Sequence, residues 1–470
     1  MAAIPTPFIQ VAQSTLDTLR ESLQGDLFAP GDAGYDEARL AWNRATNQYP
    51  ALILSAASAA DIVLAVRFAR AEGLGIAVQS TGHGVVTPAD GALLVLTSRL
   101  ADVQVDAESQ TAWVGAGAKW GAVLAKTQEF GLAPLLGSSP GVGAVGYTLG
   151  GGMGWLARKY GMALDSVLRF EVVTANGRLI EASDAKNPDL FWALRGGGGG
   201  FAIVTGMEIQ VYPVATVYGG DMLYPIEVAR EVYTRYRDWI ASAPDALTSS
   251  IVTMNFPPAP PVPEPLRGKS GVILRGCYAG PVEEGEALFH HWFDWIPPIM
   301  SSFRAMPFTE VASISKDPEG PMPGVVSGAW LRDLDDETID TLLSYAISDN
   351  GSSPLTVTEV RHAGGAISRV APGATPFGHR DAPLVLSLIG SAATPERQAV
   401  TQEYMDEFKR ALEPHLSGVY MNFLGAHEAH ARTAEAYSGE AYRRLMAVKA
   451  AYDPDNALRF AFPIPPAVAG

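Results

Sequence analysis

A single histidine flanked by small residues, Gln79-Ser80-Thr81-Gly82-His83-Gly84, directly follows the apolar run GIAV at 75–78. A tight turn there presents one imidazole, a nucleophile or ligand, beside flexible backbone. Further on, the segment 137–161, GSSPGVGAVGYTLGGGMGWLARKYG, places seven glycines within residues 137–152. Glycine costs roughly 0.5–1 kcal/mol relative to alanine inside regular structure, so such a cluster implies positive-φ turns and amide groups presented to a ligand, typically a pyrophosphate. Gly141, Gly143 and Gly146 formally match the dinucleotide fingerprint, with Asp165 downstream where a ribose-binding acid would stand. That fingerprint must leave a hydrophobic strand and open a helix, whereas here Gly137-Ser-Ser-Pro140 precedes it and Gly150-Gly-Gly152 follows, so a Rossmann site is not expected. A third patch, 189–196 (DLFWALRG), reads as a short helix running into Gly196–Gly200, with Phe191 and Trp192 as core residues.

Near the C-terminus, the run 418–425 (GVYMNFLG) reads as a strand, which would point Tyr420 and Asn422 to one face as a phenol and an amide together. A phenol of ordinary pKa, about 10, needs a nearby cation or a second tyrosine to accept a proton at neutral pH. Arg361 is the candidate helper: in LTVTEVRHAGG (355–365) it shares a strand face with Glu359, although a solvated strand face explains that pair equally well. His427 and His430, in HEAH, lack the HExxH spacing and a third identifiable ligand; they read as surface histidines, and no metal is expected.

The elements that must position these groups fall into two kinds. Between residues 50 and 213 short β-rich runs (GIAVQ, ALLVL, TAWVGAG, LRFEVVTA) alternate with few helices, the clearest being 59–71, where Ile62, Val63, Val66 and Phe68 recur at helical spacing before Gly73. After Pro213 a proline-rich stretch (255–265) precedes strand-like runs such as GVILRG and PLTVTEVR, alternating with amphipathic helices. A chain of 470 residues exceeds one ordinary core, so two domains are expected. The net charge of −16, with no long basic run, argues against nucleic acid and anionic membranes as partners. One cysteine, Cys277, leaves no internal disulfide and no Cys-rich metal site. The first residues carry no basic segment followed by an apolar one, from which a cytoplasmic location is expected.

In order and distance these patches closely resemble the berberine-bridge-enzyme-like flavoproteins of the vanillyl-alcohol-oxidase superfamily, and the chain is similar to the bacterial 6-hydroxy-D-nicotine oxidases among them. QSTGH resembles the family's RSGGH, GSSPGVGAVGYTLGGG its GxCPxVGxxGHxxGGG, DLFWALRGGGGGFAIVT its DLFWAxRGGGxNFGVVT, and YMNF…YDPDN its YxN…YDPxN. The resemblance implies an α+β fold: a PCMH-type FAD-binding domain of two α/β subdomains over 1–215 (core about 46–215), an α+β substrate domain on an antiparallel sheet over 216–417, and a segment 418–470 packing back on the FAD domain. It implies His83 as the residue bonding the 8α-methyl of FAD. Ser139 stands where bicovalent members have a second, cysteinyl link, so one covalent bond is the maximum. By the same analogy Ser80, Thr81, Gly82, Gly84, Ser138, Gly143, Gly146, Tyr147, Gly150, Gly151 and Gly152 line the cofactor, and Ile203 and Val204 lie near the adenine. Asn422 also faces the cofactor. Val142 occupies a place close to the flavin's oxygen-reacting carbon, where a small side chain suits an oxidase. Gln79, Tyr147, Gly200 and Ala202 depart from the pattern, which bears on hydrogen bonding to the flavin. Tyr420 is the implied base, and His379, in TPFGHR, resembles a segment near the active site.

The expected activity is hydride transfer from a small or medium organic alcohol or amine to FAD, with dioxygen as the second substrate and hydrogen peroxide released. A dehydrogenase of the same fold and a non-catalytic flavin-binding protein remain the alternatives. The substrate domain contains no motif that identifies the substrate.

Overall fold

Strands Leu52–Ser55 and Leu93–Leu96 are apolar without alternation, as strands covered on both faces are, whereas the third strand, Ile76–Gln79, leaves Val78 exposed. They pair in parallel, with Leu93–Leu96 central, and Asp26–Phe28 adds an antiparallel edge. Helix Ala59–Ala71 packs on this sheet. Its start is fixed by a capping box in which Ser58 accepts the Asp61 amide and the Asp61 carboxylate accepts backbone amides of Ala57 and Ser58; the same carboxylate also accepts the amide of Gln24. The buried stripe is Ile62, Ala65, Val66 and Ala69, narrower than the sequence suggests, with Val63 and Phe68 only half-covered. In this computed structural model the described residues are 11–260, 262–348 and 353–468. The first ten residues, part of the N-terminal segment read above, and residue 261 of the proline-rich stretch lie outside them.

A second, five-stranded antiparallel sheet follows in the order Val103–Asp106, Thr111–Gly115, Ala202–Gln210, Val167–Thr174, Leu179–Ser183. The 137–152 segment runs beside it. Contrary to the sequence reading, the fingerprint glycines do open a helix, Ala144–Leu149, but of six residues only; Gly150 ends it and Gly151 and Gly152 turn away with φ of +125° and +83°.

The segment after Pro213 builds one nine-stranded sheet in which every pairing is antiparallel. Four helices cover one face, burying Tyr233 and Tyr236, Phe289 and Trp292, Ile339 and Leu342, and Met405 and Phe408. Ile251 and Val360 point into that layer, so their neighbours Ser250, Glu359 and Arg361 point to the opposite face. Arg158, on the short helix Ala157–Tyr160, joins the sheets: its guanidinium donates to the carbonyls of Leu247 (2.8 Å), Ala243 (3.2 Å) and Ala363 and lies 3.0 Å from His362 Nε2. The C-terminal helix Gly439–Tyr452 returns to the first half. There Lys449, buried, donates to the carbonyl of Gly200 at 2.6 Å and pairs with Asp453 at 2.5 Å, while Asp453 accepts the amides of Ala457 and Leu458. Among the described residues no helix is long and apolar enough to cross a membrane.

Candidate active site

The loop after strand Ile76–Gln79 turns at Gly82, φ +78°, where a Cβ would stand 2.7 Å from the Ala41 Cβ. This closeness lets residues 41–43 clamp the loop: the Trp42 amide donates to the Thr81 carbonyl (2.9 Å) and the Asn43 amide to that of Gly82 (3.1 Å). Gln79, the departure from the family arginine, takes part in the same clamp, donating to the Leu40 carbonyl and accepting from Gln48. His83 is thus held against Trp42, ring centroids 4.1 Å apart and nearly parallel. Its Nδ1 lies 2.8 Å from the Thr81 hydroxyl, whereas Nε2 is buried without a hydrogen-bond partner. Burial, reinforced by the Lys119 charge, lowers the imidazole pKa to about 4, so the ring is neutral at physiological pH.

The glycine-rich segment meets this loop. A Cβ on Gly143 would stand 2.9 Å from Ser80 Oγ and 3.5 Å from Thr81 Oγ1, so glycine is what permits the approach. Gly84 and Gly146 face open space, and Gly141 nearly so. Ser80 Oγ and Tyr147 Oη, like His83 Nε2, are buried without partners. Partnerless polar atoms of this kind, beside backbone stripped of side chains, fit a polar cofactor lying across both loops. Ser139 and Val142 sit in the turn leading into Gly143, where the Val142 carbonyl accepts the Trp120 amide.

The run 418–425 is not the strand expected. Leu416–Gly418 pairs with the large sheet, and then Met421–Phe423 forms a 3₁₀ turn closed by the Phe423 amide on the Tyr420 carbonyl. A turn nonetheless brings the two side chains together, because Asn422 Nδ2 reaches Tyr420 Oη at 3.2 Å while also donating to the Tyr147 carbonyl at 2.9 Å. Tyr420 is buried among Trp330, Phe377 and Phe423, and its oxygen accepts the backbone amides of Gly152 (3.0 Å) and Met153 (3.1 Å) as well. Burial raises this phenol above its ordinary value against the three N–H donors and the Arg361 charge, which lower it. Tyr147, packed across Gly152, is raised well above the ordinary value by burial and by Tyr420.

On the opposing sheet Glu359 and Arg361 are not on a solvated face. Glu359 is buried, 2.8 Å from Arg361 and 3.5 Å from Arg275, and accepts from Ser250 Oγ at 2.7 Å. Burial disfavours its charge, but the two guanidiniums outweigh burial and hold the carboxyl below its usual range. A small cleft between the domains is lined by Ser138, Met153 and Trp155 on one side and Thr248, Ser250 and Arg361 on the other. Ser138 donates to Asp317 at 2.6 Å, joining its rim to the substrate domain. A larger cavity, about 520 Å³, opens elsewhere among Arg235, Trp239 and Trp295 and is lined by none of these residues.

His379 is not brought to the phenol. It adopts a left-handed backbone conformation, φ +56°, with Nε2 2.7 Å from the Glu435 carbonyl and its ring against Gly418, while Arg380 pairs with Asp165; among the described residues it makes no hydrogen bond to Tyr420, Asn422 or Arg361. Ile203 and Val204 are buried in two hydrophobic clusters. His427 is half-buried, not a surface residue, and lies 3.6 Å from Asp406; His430 is exposed. Asp406, His427 and Glu428 could together offer ligand atoms, but Glu428 already carries Lys409, Arg432 and Ser327, two cations that a metal would have to displace. Trp42, Lys119, Asp317 and Arg275 went unread in the sequence. Each acts from a segment distant in the chain, with no local motif to mark it.

A family model described as "FAD binding domain" matches residues 50–183, and one described as "Berberine and berberine like" matches 419–465. The chain is 30% identical over 471 residues to (R)-6-hydroxynicotine oxidase of Paenarthrobacter nicotinovorans, covering 95% of this chain and 97% of that one. It is 29% identical to an FAD-linked oxidoreductase of Bacillus subtilis, YgaK, covering 95% and 98%. The crystal structure of 6-hydroxy-D-nicotine oxidase from Arthrobacter nicotinovorans superposes with a TM-score of 0.83 at 27% identity, covering 94% and 98%. A xylooligosaccharide oxidase of Myceliophthora thermophila, at 22% identity and TM-score 0.84 over 97% and 100%, shares the fold. With the histidine loop, the glycine segment and the Tyr-x-Asn turn assembled as described, the chain belongs to the berberine-bridge-like family of FAD-linked oxidoreductases.

Proposed function

We propose that this enzyme is an oxidase that takes a hydride from the C–H of a small or medium organic alcohol or amine, with Tyr420 as base and dioxygen as electron acceptor, and that its FAD is bonded to His83. The activity named for the 6-hydroxynicotine relative supports an amine or alcohol substrate class. When bound, FAD supplies a hydride acceptor that dioxygen reoxidises with release of hydrogen peroxide. His83 and the glycine backbone hold it, Ser80 and Tyr147 offering polar atoms that lack protein partners. The observation carrying the base assignment is the convergence of three N–H donors on Tyr420 Oη. A neutral phenol oxygen has two acceptor sites, so a third donor favours the phenolate. Asn422, the longest of the three contacts, is the one a substrate O–H or N–H displaces. Arg361, its charge secured by Glu359, adds a favourable field.

The test is oxygen uptake and peroxide yield over a panel of alcohols, amines and sugars. Peroxide equal to oxygen consumed supports the reading. Rapid anaerobic bleaching followed by slow reoxidation in air but fast reoxidation by a quinone assigns a dehydrogenase instead.

A further inference from the structure

Resting on the oxidase reading above, we infer that the substrate is a small alcohol or amine that also carries a carboxylate, and that Arg361, Thr248 and Trp155 in the cleft between the domains receive that carboxylate. The cleft adjoins the base through Met153, whose amide donates to Tyr420 Oη while the residue itself lines the cleft wall. A group held there sits beside the reacting end of the same small molecule. On the substrate-domain wall, Ser250 pairs across the strands with Arg361 on one side and Arg275 on the other, and Thr248, two residues earlier, shares its face. Trp155 belongs to the opposite wall.

What distinguishes these walls is a surplus of donors. Trp155 and Thr248 are 7% and 4% exposed, and among the described residues neither the Trp155 Nε1–H nor the Thr248 hydroxyl has a hydrogen-bond partner. Buried polar groups are paired in the great majority of cases, so two orphans on facing walls of one cleft mark atoms kept for a ligand. Arg361 directs Nε and Nη2 to a single oxygen of Glu359, both at 2.8 Å; among the described residues its Nη1 makes no hydrogen bond, and the side chain keeps 21% exposure. An indole and a guanidinium can only donate, so the group they take must accept. Charge then selects among acceptors. Glu359 is shared between the guanidiniums of Arg361 and Arg275, and Asp317, the other carboxylate acting on Arg361, is engaged by Ser138 at the rim. An anionic acceptor completes the cluster with charge-assisted bonds, whereas a carboxamide of the same shape turns an NH2 group toward donors that cannot accept it.

The experiment titrates the full-length, FAD-loaded protein with benzoate and with phenylacetate, each against its own primary amide, and reads the shift of the visible flavin bands. Each acid is expected to bind about tenfold or more tightly than its amide, the factor that hydrogen bonds to a charged group supply. Arg361→Met is expected to erase that preference. Trp155→Phe and Thr248→Val, which keep the shape of the walls, are expected to weaken the acids about two- to tenfold at unchanged flavin content. Should Arg361→Met fail to fold, these two variants decide. Amides that bind as tightly as the acids, acids that leave the flavin bands unmoved at millimolar concentration, or phenylalanine and valine variants that bind the acids with wild-type affinity overturn the inference. Loss of FAD from those variants with the acid preference intact also overturns it, because the donors then serve the cofactor. A panel of alcohols and amines, each as acid and as amide, is then tested for anaerobic bleaching of the flavin. Bleaching without preference for the acids overturns the inference and leaves the oxidase reading standing; no bleaching by any member overturns that reading itself.

Discussion

The two halves of the active site are made of different material. On the FAD side the surface is backbone: Gly82, Gly143, Gly151 and Gly152 bring amides and turns together where any Cβ would collide. On the substrate side it is charge: Glu359, Arg361, Arg275 and Ser250 project from neighbouring strands and are held by one another. Tyr420 stands between, anchored through its oxygen by the amides of the first half and under the field of the second. The difference teaches where each half is fragile. A backbone-made surface tolerates loss of a polar side chain but not gain of a methyl; a charge-made surface tolerates changes of shape but not loss of one partner.

The largest effect is expected at the junction. Tyr420→Phe keeps the ring packing and removes the proton acceptor, so turnover falls by about 10²–10⁴ while flavin content stays normal. The wild-type rate constant kcat/KM is expected to climb as pH rises from 6 to 9, because burial holds the phenol above its ordinary pKa and the active phenolate fraction grows toward that value. A flat profile removes Tyr420 as the base. Glu359→Ala leaves two guanidiniums in the buried cluster without their carboxylate and costs about 3–5 kcal/mol, read by chemical denaturation. Gly150→Ala drives a methyl into the Asn422 amide, which is pinned on both the Tyr147 carbonyl and Tyr420, at a cost of about 1–3 kcal/mol and with lower FAD content. Ser138→Ala, on the same side, loses one bond to Asp317 and about 0.5–1.5 kcal/mol. If serine loss harms the FAD side more than the added methyl, the contrast fails. The last effect, absent at neutral pH and growing only as the solution is acidified, is at the domain joint. His362, buried beside Arg158, has its pKa lowered to about 3, chiefly by burial, so the unfolded chain binds a proton first and stability falls as pH drops from about 6.5 toward 3. His362→Gln is expected to flatten that part of the pH–stability curve.

The backbone-made half was the more legible in the sequence. Glycine has no other reason to cluster as it does at 137–152, so residue type alone announces close approach, and the helix 59–71 and the strands around it follow from apolar periodicity. The charge-made half was legible only as a pair: alternation on 355–362 puts Glu359 and Arg361 on one face, but burial and the third partner, Arg275, depend on pairing between strands far apart in the chain. Tyr420 and Asn422 do meet, though through a turn instead of a strand, since spacing by two fits both. His379 illustrates the opposite failure. A ring nitrogen can be engaged by any carbonyl that folding brings near, and Glu435 supplies one.

The most direct test of the account is to precipitate purified wild-type protein and a His83→Ala variant with acid and record where the yellow colour goes. The account predicts flavin absorbance retained by the wild-type pellet and released to the supernatant from the variant. Flavin released from both contradicts the bond at His83, and a wild-type chain that carries no flavin, even after reconstitution with FAD, contradicts the assembly of the whole site.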